Sequence, residues 1–216
     1  GDLNGLGRLA RVRPEVPAAD FAVLMEPTSA RVEGGCQGTS RFEITTTGRT
    51  AHSGRSWLGH NAIHDAAPFL DRLAAYEPRT VVVDGLEYRE GLNAVLISGG
   101  VATNVIPDRC TVTINFRFAP DRDEADARAH VARLFEGYEL VYTDFSPAAR
   151  PGLDRPAAQE FLAAVGGTAS PKYGWTDVAR FSALGVPAVN YGPADPALAH
   201  TDDEFCPAKD LFTCHD

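Results

Sequence analysis

The chain has 216 residues, enough to bury a sizeable core as one large domain or two small ones. Its apolar share of 44% and charged share of 23% are those of an ordinary globular protein, and no apolar run approaches the roughly 18 residues that read as a membrane span. A formal net charge of -9, with no run of Lys or Arg, argues against nucleic acid and anionic membrane surfaces as partners.

The sequence opens at Gly1 without a methionine, in what reads as the tail of a helix over 3–12. It closes over 209–214 with the pattern of a helix's first turns. Both ends read as cut, so the sequence is expected to be a fragment. Residues 21–25 and 186–191 are apolar runs without alternation, which suit strands covered on both faces. Helices are expected beside them over 157–165 and 176–184, the second carrying Val178, Phe181 and Leu184 at helical spacing. These outer pieces read as parts of an α/β domain.

The middle of the chain follows different periods. Residues 41–46 alternate, with Phe42 and Ile44 on one face. A helical stripe of Ile63, Ala67, Leu70, Leu73 and Ala74 comes next, and Pro68 within it predicts a kink or a late start. The run Val81-Val82-Val83 reads as a strand extension or a hairpin arm. Strands are expected over 93–98 and 110–118; in the latter Val112, Ile114, Phe116 and Phe118 oppose Thr111, Thr113, Asn115 and Arg117. Asp121 and Glu124 have the spacing of a capping box. The helix behind them turns Ala127, Val131, Leu134 and Phe135 inward and stops at Gly137, and a last strand covers 138–143.

From 37 to 148 the order is thus β-α-β-β-α-β, the ferredoxin-like succession. The expected architecture is an α/β domain, residues 1–36 and 149–216, into which an α+β domain, residues 37–148, is inserted. Cys36, Cys110, Cys206 and Cys214 form no C-x-x-C pair and read as the reduced thiols of a cytoplasmic protein.

Several residues could carry chemistry, and each also has a plainer reading. Glu26 follows an apolar strand, where functional carboxylates gather in open α/β sheets; it could equally be a solvated loop residue. His200 precedes Asp202, Asp203 and Glu204, as a metal-binding imidazole with carboxylate support would, or as a surface His beside a capping cluster. His52 lies in a Gly/Ser-rich loop, where catalysis competes with simple solvation. Arg117 on the polar strand face suits a substrate carboxylate or a surface salt bridge. Asn104 offers an amide to a carbonyl or stabilises a turn. The segment 172–177, with Gly174 and Thr176, ends where a helix N-terminus would favour an anion or merely needs a cap.

Taken in order, Met25-Glu26-Pro27-Thr28, Ala51-His52-Ser53, Gly59-His60-Asn61-Ala62-Ile63, Asn104-Val-Ile-Pro-Asp108, Asn115-Phe-Arg-Phe118, Trp175-Thr176-Asp177, Ala199-His200 and Asp203-Glu204 resemble the di-zinc aminoacylase and carboxypeptidase family. The match spans nearly the whole chain, and the wording around each motif is closest to the branch that removes succinyl groups. The resemblance implies a di-zinc amide hydrolase (Zn2+, with Co2+ as an alternative metal) whose inserted ferredoxin-like lid makes a homodimer, acting on a small N-acyl amino acid. By the same resemblance Glu26 and His200 are terminal ligands of the two metals, and His52 crosses to the partner's site to meet the oxyanion. Asn104 and Arg117 bind substrate, while Gly174 and Thr176 line the pocket. Two departures stand out. Trp175 occupies a position where family members often carry a smaller residue, and the resemblance places the family's metal-bridging H-x-D motif and its Glu-Glu pair upstream of Gly1. A deacetylase of the same chemistry and a non-catalytic dimerisation module remain as alternatives.

Overall fold

The computed structural model describes residues 5–215. Helix α1 (Gly5–Val12) starts the described chain; Gly1 and Leu3, at the expected helical opening, lie outside it. Strands β1 (Ala22–Leu24) and β2 (Val32–Gly34) lead into the long β3 (Gly38–Thr47) and the short β4 (Ala51–His52). Two 3-10 turns, Ser53–Leu58 and His64–Ala66, follow, and the second runs into α2 (Ala67–Ala74). Pro68 sits in the first turn of α2, where its missing N–H has no bond to lose, so it marks a start and not a kink. The inward face of this helix differs from the expected stripe. Ala62, Ala66 and Phe69 are buried with Leu70 and Leu73 beside them, whereas Ile63, Ala67 and Ala74 are exposed.

A hairpin of β5 (Thr80–Val83) and β6 (Leu86–Arg89) comes next, turning at Asp84 and Gly85 with φ of 48 and 85. Two positive φ values make the tight turn that matches strand twist, which explains an Asp-Gly pair there. Then come β7 (Gly91–Gly99), β8 (Val105–Ile106), β9 (Arg109–Phe118), α3 (Glu124–Leu134) and β10 (Val141–Ser146). The cap of α3 is Asp123, whose carboxylate accepts the Asp126 N–H at 2.8 Å. Asp121 instead pairs with Arg79 at 2.7 Å, so the capping residue lies two positions later than expected. Strand β10 also begins later than the expected 138–143, because Tyr138 packs on Phe69 ahead of the sheet.

Strands β10, β3, β9 and β7, in that order, make one antiparallel sheet. Its inward face carries Phe42, Ile44, Val112, Ile114, Phe116 and Phe118, each at most 1% exposed, and α2 and α3 cover it with Phe69, Ala127, Val131 and Phe135. Truncating one such Phe to Ala removes roughly 3–5 kcal/mol, which makes this the anchor of the fold.

The remaining elements are α4 (Pro156–Ala164), β11 (Ala169–Pro171), α5 (Val178–Ala183), β12 (Ala188–Asn190) and α6 (Ala208–His215). They complete a second, smaller sheet, ordered β1-β12-β2-β11, with β1 parallel to β12 and β2 parallel to β11. Strand β12 is buried throughout, but β1 is not covered on both faces: it forms the sheet edge, and Val23 and Met25 are exposed. Helix α5 begins at Val178, so the expected helix over 176–184 is two residues shorter at its start.

Candidate functional site

Parallel pairing of β1 with β12 sets Leu24 opposite Asn190, so both strands end on the same side of the small sheet. Glu26 leaves the end of β1, half-buried, and Gly192 lies directly against it: a side chain on Gly192 would fall 2.5 Å from the Glu26 carbonyl oxygen. The Thr28 hydroxyl, buried, accepts the Gly192 N–H at 3.0 Å and donates to the Gly192 carbonyl at 3.2 Å. The Ser29 N–H donates to Ala194 O at 2.7 Å. These bonds lock the Glu26 loop to the chain segment that continues through a 3-10 turn, Pro196–Leu198, to His200. His200 is exposed and holds a positive φ of 66, and its N–H donates to the Glu204 carboxylate at 2.9 Å. Glu204 thus fixes the backbone at His200 and not, as the sequence suggested, the ring. Among the described residues no group of three or more His, Cys, Asp or Glu side chains gathers as a metal would require.

A second cluster lies where the two sheets meet. Cys36 is fully buried, its Sγ 3.7 Å from the Thr176 carbonyl oxygen, and burial pushes the thiol's pKa up, which makes it an inert packing group. Thr176 is 5% exposed, and its hydroxyl has no hydrogen-bond partner among the described residues. The segment 172–177 does end at a helix N-terminus, with Asp177 as its N-cap, but Asp177 makes no side-chain cap bond and the helix has only six residues, too short to support an anion site by itself. Gly174 is exposed, and a Cβ added there would meet only the Lys172 stem, at 3.9 Å. Lys172 pairs with Glu33 at 2.7 Å, and the Asn190 amide donates to the carbonyls of Glu33 and Gly35. Sequence reading gave no role to Glu33, Asn190 or Gly192 and did not pair Lys172, since only strand pairing brings Lys172 to Glu33 and Asn190 to the carbonyls of Glu33 and Gly35.

Arg117 sits on the open face of β9, opposite Thr39, and its Nε donates to the side-chain Oδ1 of Asn115 at 3.2 Å. Burial lowers its pKa, and the like charge of Arg41 acts in the same direction while Asp144 opposes it. His52 and Asn104 meet at the far tip of the large sheet. His52 pairs with Val105, and the Ser53 N–H donates to the Asn104 carbonyl at 2.9 Å. The Gly54 N–H donates to His52 Nδ1 at 3.0 Å, so in the neutral ring the proton sits on Nε2 and faces outward as a donor. The structure therefore sets the Glu26 loop against residues 192–194, ahead of His200, and His52 beside Asn104, and leaves these two groups on separate parts of the chain.

Comparison with known proteins adds to this geometry. The chain is 54% identical over 215 residues to a putative succinyl-diaminopimelate desuccinylase DapE of Mycobacterium tuberculosis, covering 99% of this chain and 61% of that protein. It is 47% identical to the succinyl-diaminopimelate desuccinylase of Corynebacterium glutamicum, over 97% of this chain and 58% of the relative. It thus spans about three fifths of the length of these relatives. A tripeptidase structure from Staphylococcus aureus superposes with a TM-score of 0.73 at 22% identity, over 97% of this chain and 58% of that one, a likeness of fold. The family described as the peptidase dimerisation domain matches residues 35–142, half of the sequence. The chain belongs to the peptidase dimerisation domain family.

Proposed function

We propose that this chain is the larger share of a metal-dependent amide hydrolase that converts N-succinyl-LL-diaminopimelate and water to succinate and LL-diaminopimelate. The observation that carries the reading is the register of β1 with β12, which sets Glu26 against Gly192, on the segment that leads to His200, at one end of a single sheet, where open α/β folds place their ligands. The names of the relatives at 54% and 47% identity supply the substrate. In this reading residues 1–36 and 149–216 are parts of an α/β catalytic domain. Residues 37–148 form an inserted ferredoxin-like lid; the strand order β10-β3-β9-β7 with two helices on one face supports that name.

Glu26 and His200 offer one carboxylate and one imidazole, whereas a catalytic zinc takes about three protein ligands. The described residues do not complete a metal centre by themselves, so a di-zinc site (or one holding Co2+) needs ligands beyond them. When bound, such ions polarise a carbonyl and make a water nucleophilic near neutral pH.

The chain's own groups have separate tasks. Arg117, held edge-on by Asn115, grips a substrate carboxylate through its remaining guanidinium N–H groups. The orphaned Thr176 hydroxyl and the open backbone at Gly174 line the pocket. Asn104 donates its amide to a carbonyl, and His52 presents Nε2–H to developing negative charge across a homodimer. Dimerisation is supported by β7, an edge strand whose Val95, Leu96 and Ile97 are 50%, 68% and 59% exposed. A cytoplasmic setting accords with four free cysteines, and no helix among the described residues is long and apolar enough to cross a membrane.

The test is an assay of the protein expressed from its complete gene, comparing N-succinyl-diaminopimelate with acetylornithine and N-acetyl amino acids. Succinate release is expected, with His52→Ala lowering kcat by about 10²–10³, the size of a lost oxyanion donor. Acetate release alone would make the protein a different deacylase. Turnover of none of them would leave a dimerisation module.

A further inference from the structure

Among the described residues two chain segments join the large sheet to the small one: residues 35–37, between β2 and β3, and residues 147–149, after β10. Cys36 and Ala149 bridge them, each N–H donating to the other's carbonyl at 3.0 Å. A two-stranded joint of this kind resists bending poorly, because rotation about its axis breaks no ladder. The β5–β6 hairpin crosses it. At its base, buried Glu90 closes the hairpin by pairing with Arg79 at 2.8 Å, and is tied to the large sheet's side by Arg122 at 2.8 Å and by the Ala119 N–H at 3.1 Å, while Arg79 pairs in turn with Asp121 at 2.7 Å. Along β6 the attachments are to the other side. Leu86 packs at Gly34, with Leu153 and Pro151 beside it, the Glu87 carbonyl accepts the Tyr173 hydroxyl at 3.4 Å, and the Arg89 carbonyl accepts the Gln37 amide. Tyr88 is fully buried and its hydroxyl donates to Gly34 O at 2.8 Å. At the tip, Arg150 Nε donates to Asp84 at 3.0 Å.

We infer that this hairpin is a clasp, with Tyr88 as its central fastening, that holds the two sheets in one relative orientation. The joint also carries the 172–176 loop, since Gln37 N–H donates to Lys172 O at 3.1 Å and Trp175 Nε1 donates to Pro147 O at 3.0 Å. The clasp therefore fixes the spacing between that loop and Arg117, which stands on β9 opposite Thr39. Burial raises the Tyr88 phenol's pKa, so it remains a donor across the working pH range. The inference does not depend on the hydrolase reading.

Amide hydrogen exchange on the chain tests it. Tyr88→Phe deletes one bond and keeps the ring; Arg150→Ala cuts the tip at an exposed site and serves if the first variant does not fold. The joint amides of Cys36, Gln37, Ala149 and Lys172 are expected to exchange about 3–10-fold faster in either variant, the fold-change of one net hydrogen bond. The β9 amides of Ile114 and Phe116 should keep their rates. Unchanged joint amides, or joint and β9 amides accelerating together, would overturn the clasp.

Discussion

Tyr191 donates its N–H to the Leu24 carbonyl at 2.9 Å, the last ladder bond between β12 and β1. Beyond it the two chains part, one carrying Glu26 and the other passing Gly192 on its way to His200. Substituting Gly192 by Ala would push a methyl to 2.5 Å from the Glu26 carbonyl oxygen and 2.9 Å from the Met25 carbonyl carbon. Backbone must move, at a cost of about 1–3 kcal/mol. Urea unfolding of Gly192→Ala should show a lowered midpoint; a wild-type midpoint would mean these two loops are not in contact.

Metal affinity separates the contribution of this chain from that of a complete centre. Because no three His, Cys, Asp or Glu side chains gather among the described residues, the chain should lose added zinc on dialysis against metal-free buffer. Elemental analysis that found a tightly retained pair of zinc ions would refute the ligand count.

Glu90 has a side chain with 0% exposure between Arg79 and Arg122. Burial by itself would raise the carboxyl's pKa, but the hydrogen bonds from Arg122 and Arg79 outweigh it and hold the group below its ordinary value. Glu90→Gln leaves Arg122 without its counter-charge, while Arg79 keeps Asp121, and should cost about 3 kcal/mol, the low end for breaking a buried pair. The sign for pH follows from the lowered pKa: the carboxylate's stabilisation is present above the unfolded value near 4.3 and is lost as pH falls through the folded one. A thermal melt series below pH 5 on both forms would check it, with the Gln variant the flatter.

His130 behaves in the opposite ionic sense. It stacks on Phe116 at 5.2 Å and its Nε2 lies 3.0 Å from the Tyr76 hydroxyl. Burial lowers its pKa, Arg122, Arg133 and Arg79 lower it further, and Glu90 opposes them. A depressed histidine binds fewer protons folded than unfolded, so it supports the fold above about pH 6.5 and costs stability as pH drops toward its folded value. Between pH 7 and 5 the wild-type melting temperature should fall more than that of His130→Gln; parallel curves would show that His130 is not the titrating group.

The exposed edge of β7 gives a test of assembly. Leu96→Glu places a charge where a second copy would pair, beside the bulge that separates Ala94 from Leu96. Sedimentation should show a dimer for the parent and a monomer for this variant, with β9 amide protection retained. A parent that sediments as a monomer at micromolar concentration removes the dimer.

The period-two pattern of β9, with Phe116 and Phe118 inward and Asn115 and Arg117 outward, was plain in the sequence because alternation and burial are one constraint in a sheet with a single covered face. The position of the α2 stripe was less legible. Ala62, Ala66 and Phe69 face inward, one position away from the expected set, since a 3-10 turn precedes the α-helix and shifts the phase. The Asp123 cap and the short α5 were misread for a similar reason: local spacing permits two starts, and an ion pair such as Asp121 with Arg79 decides between them.

Local periodicity by itself determined the strands that make the large sheet, its two helices and the residue types worth suspecting. Tertiary pairing decided what those residues touch: parallel strands set the Glu26 loop against Gly192, an antiparallel bridge set His52 beside Asn104, and the hairpin reached back to Gly34. Side-chain alternation repeats within a few residues and can be read along the chain, but contacts between distant segments depend on which strands pair and in what register, and no local pattern encodes that choice.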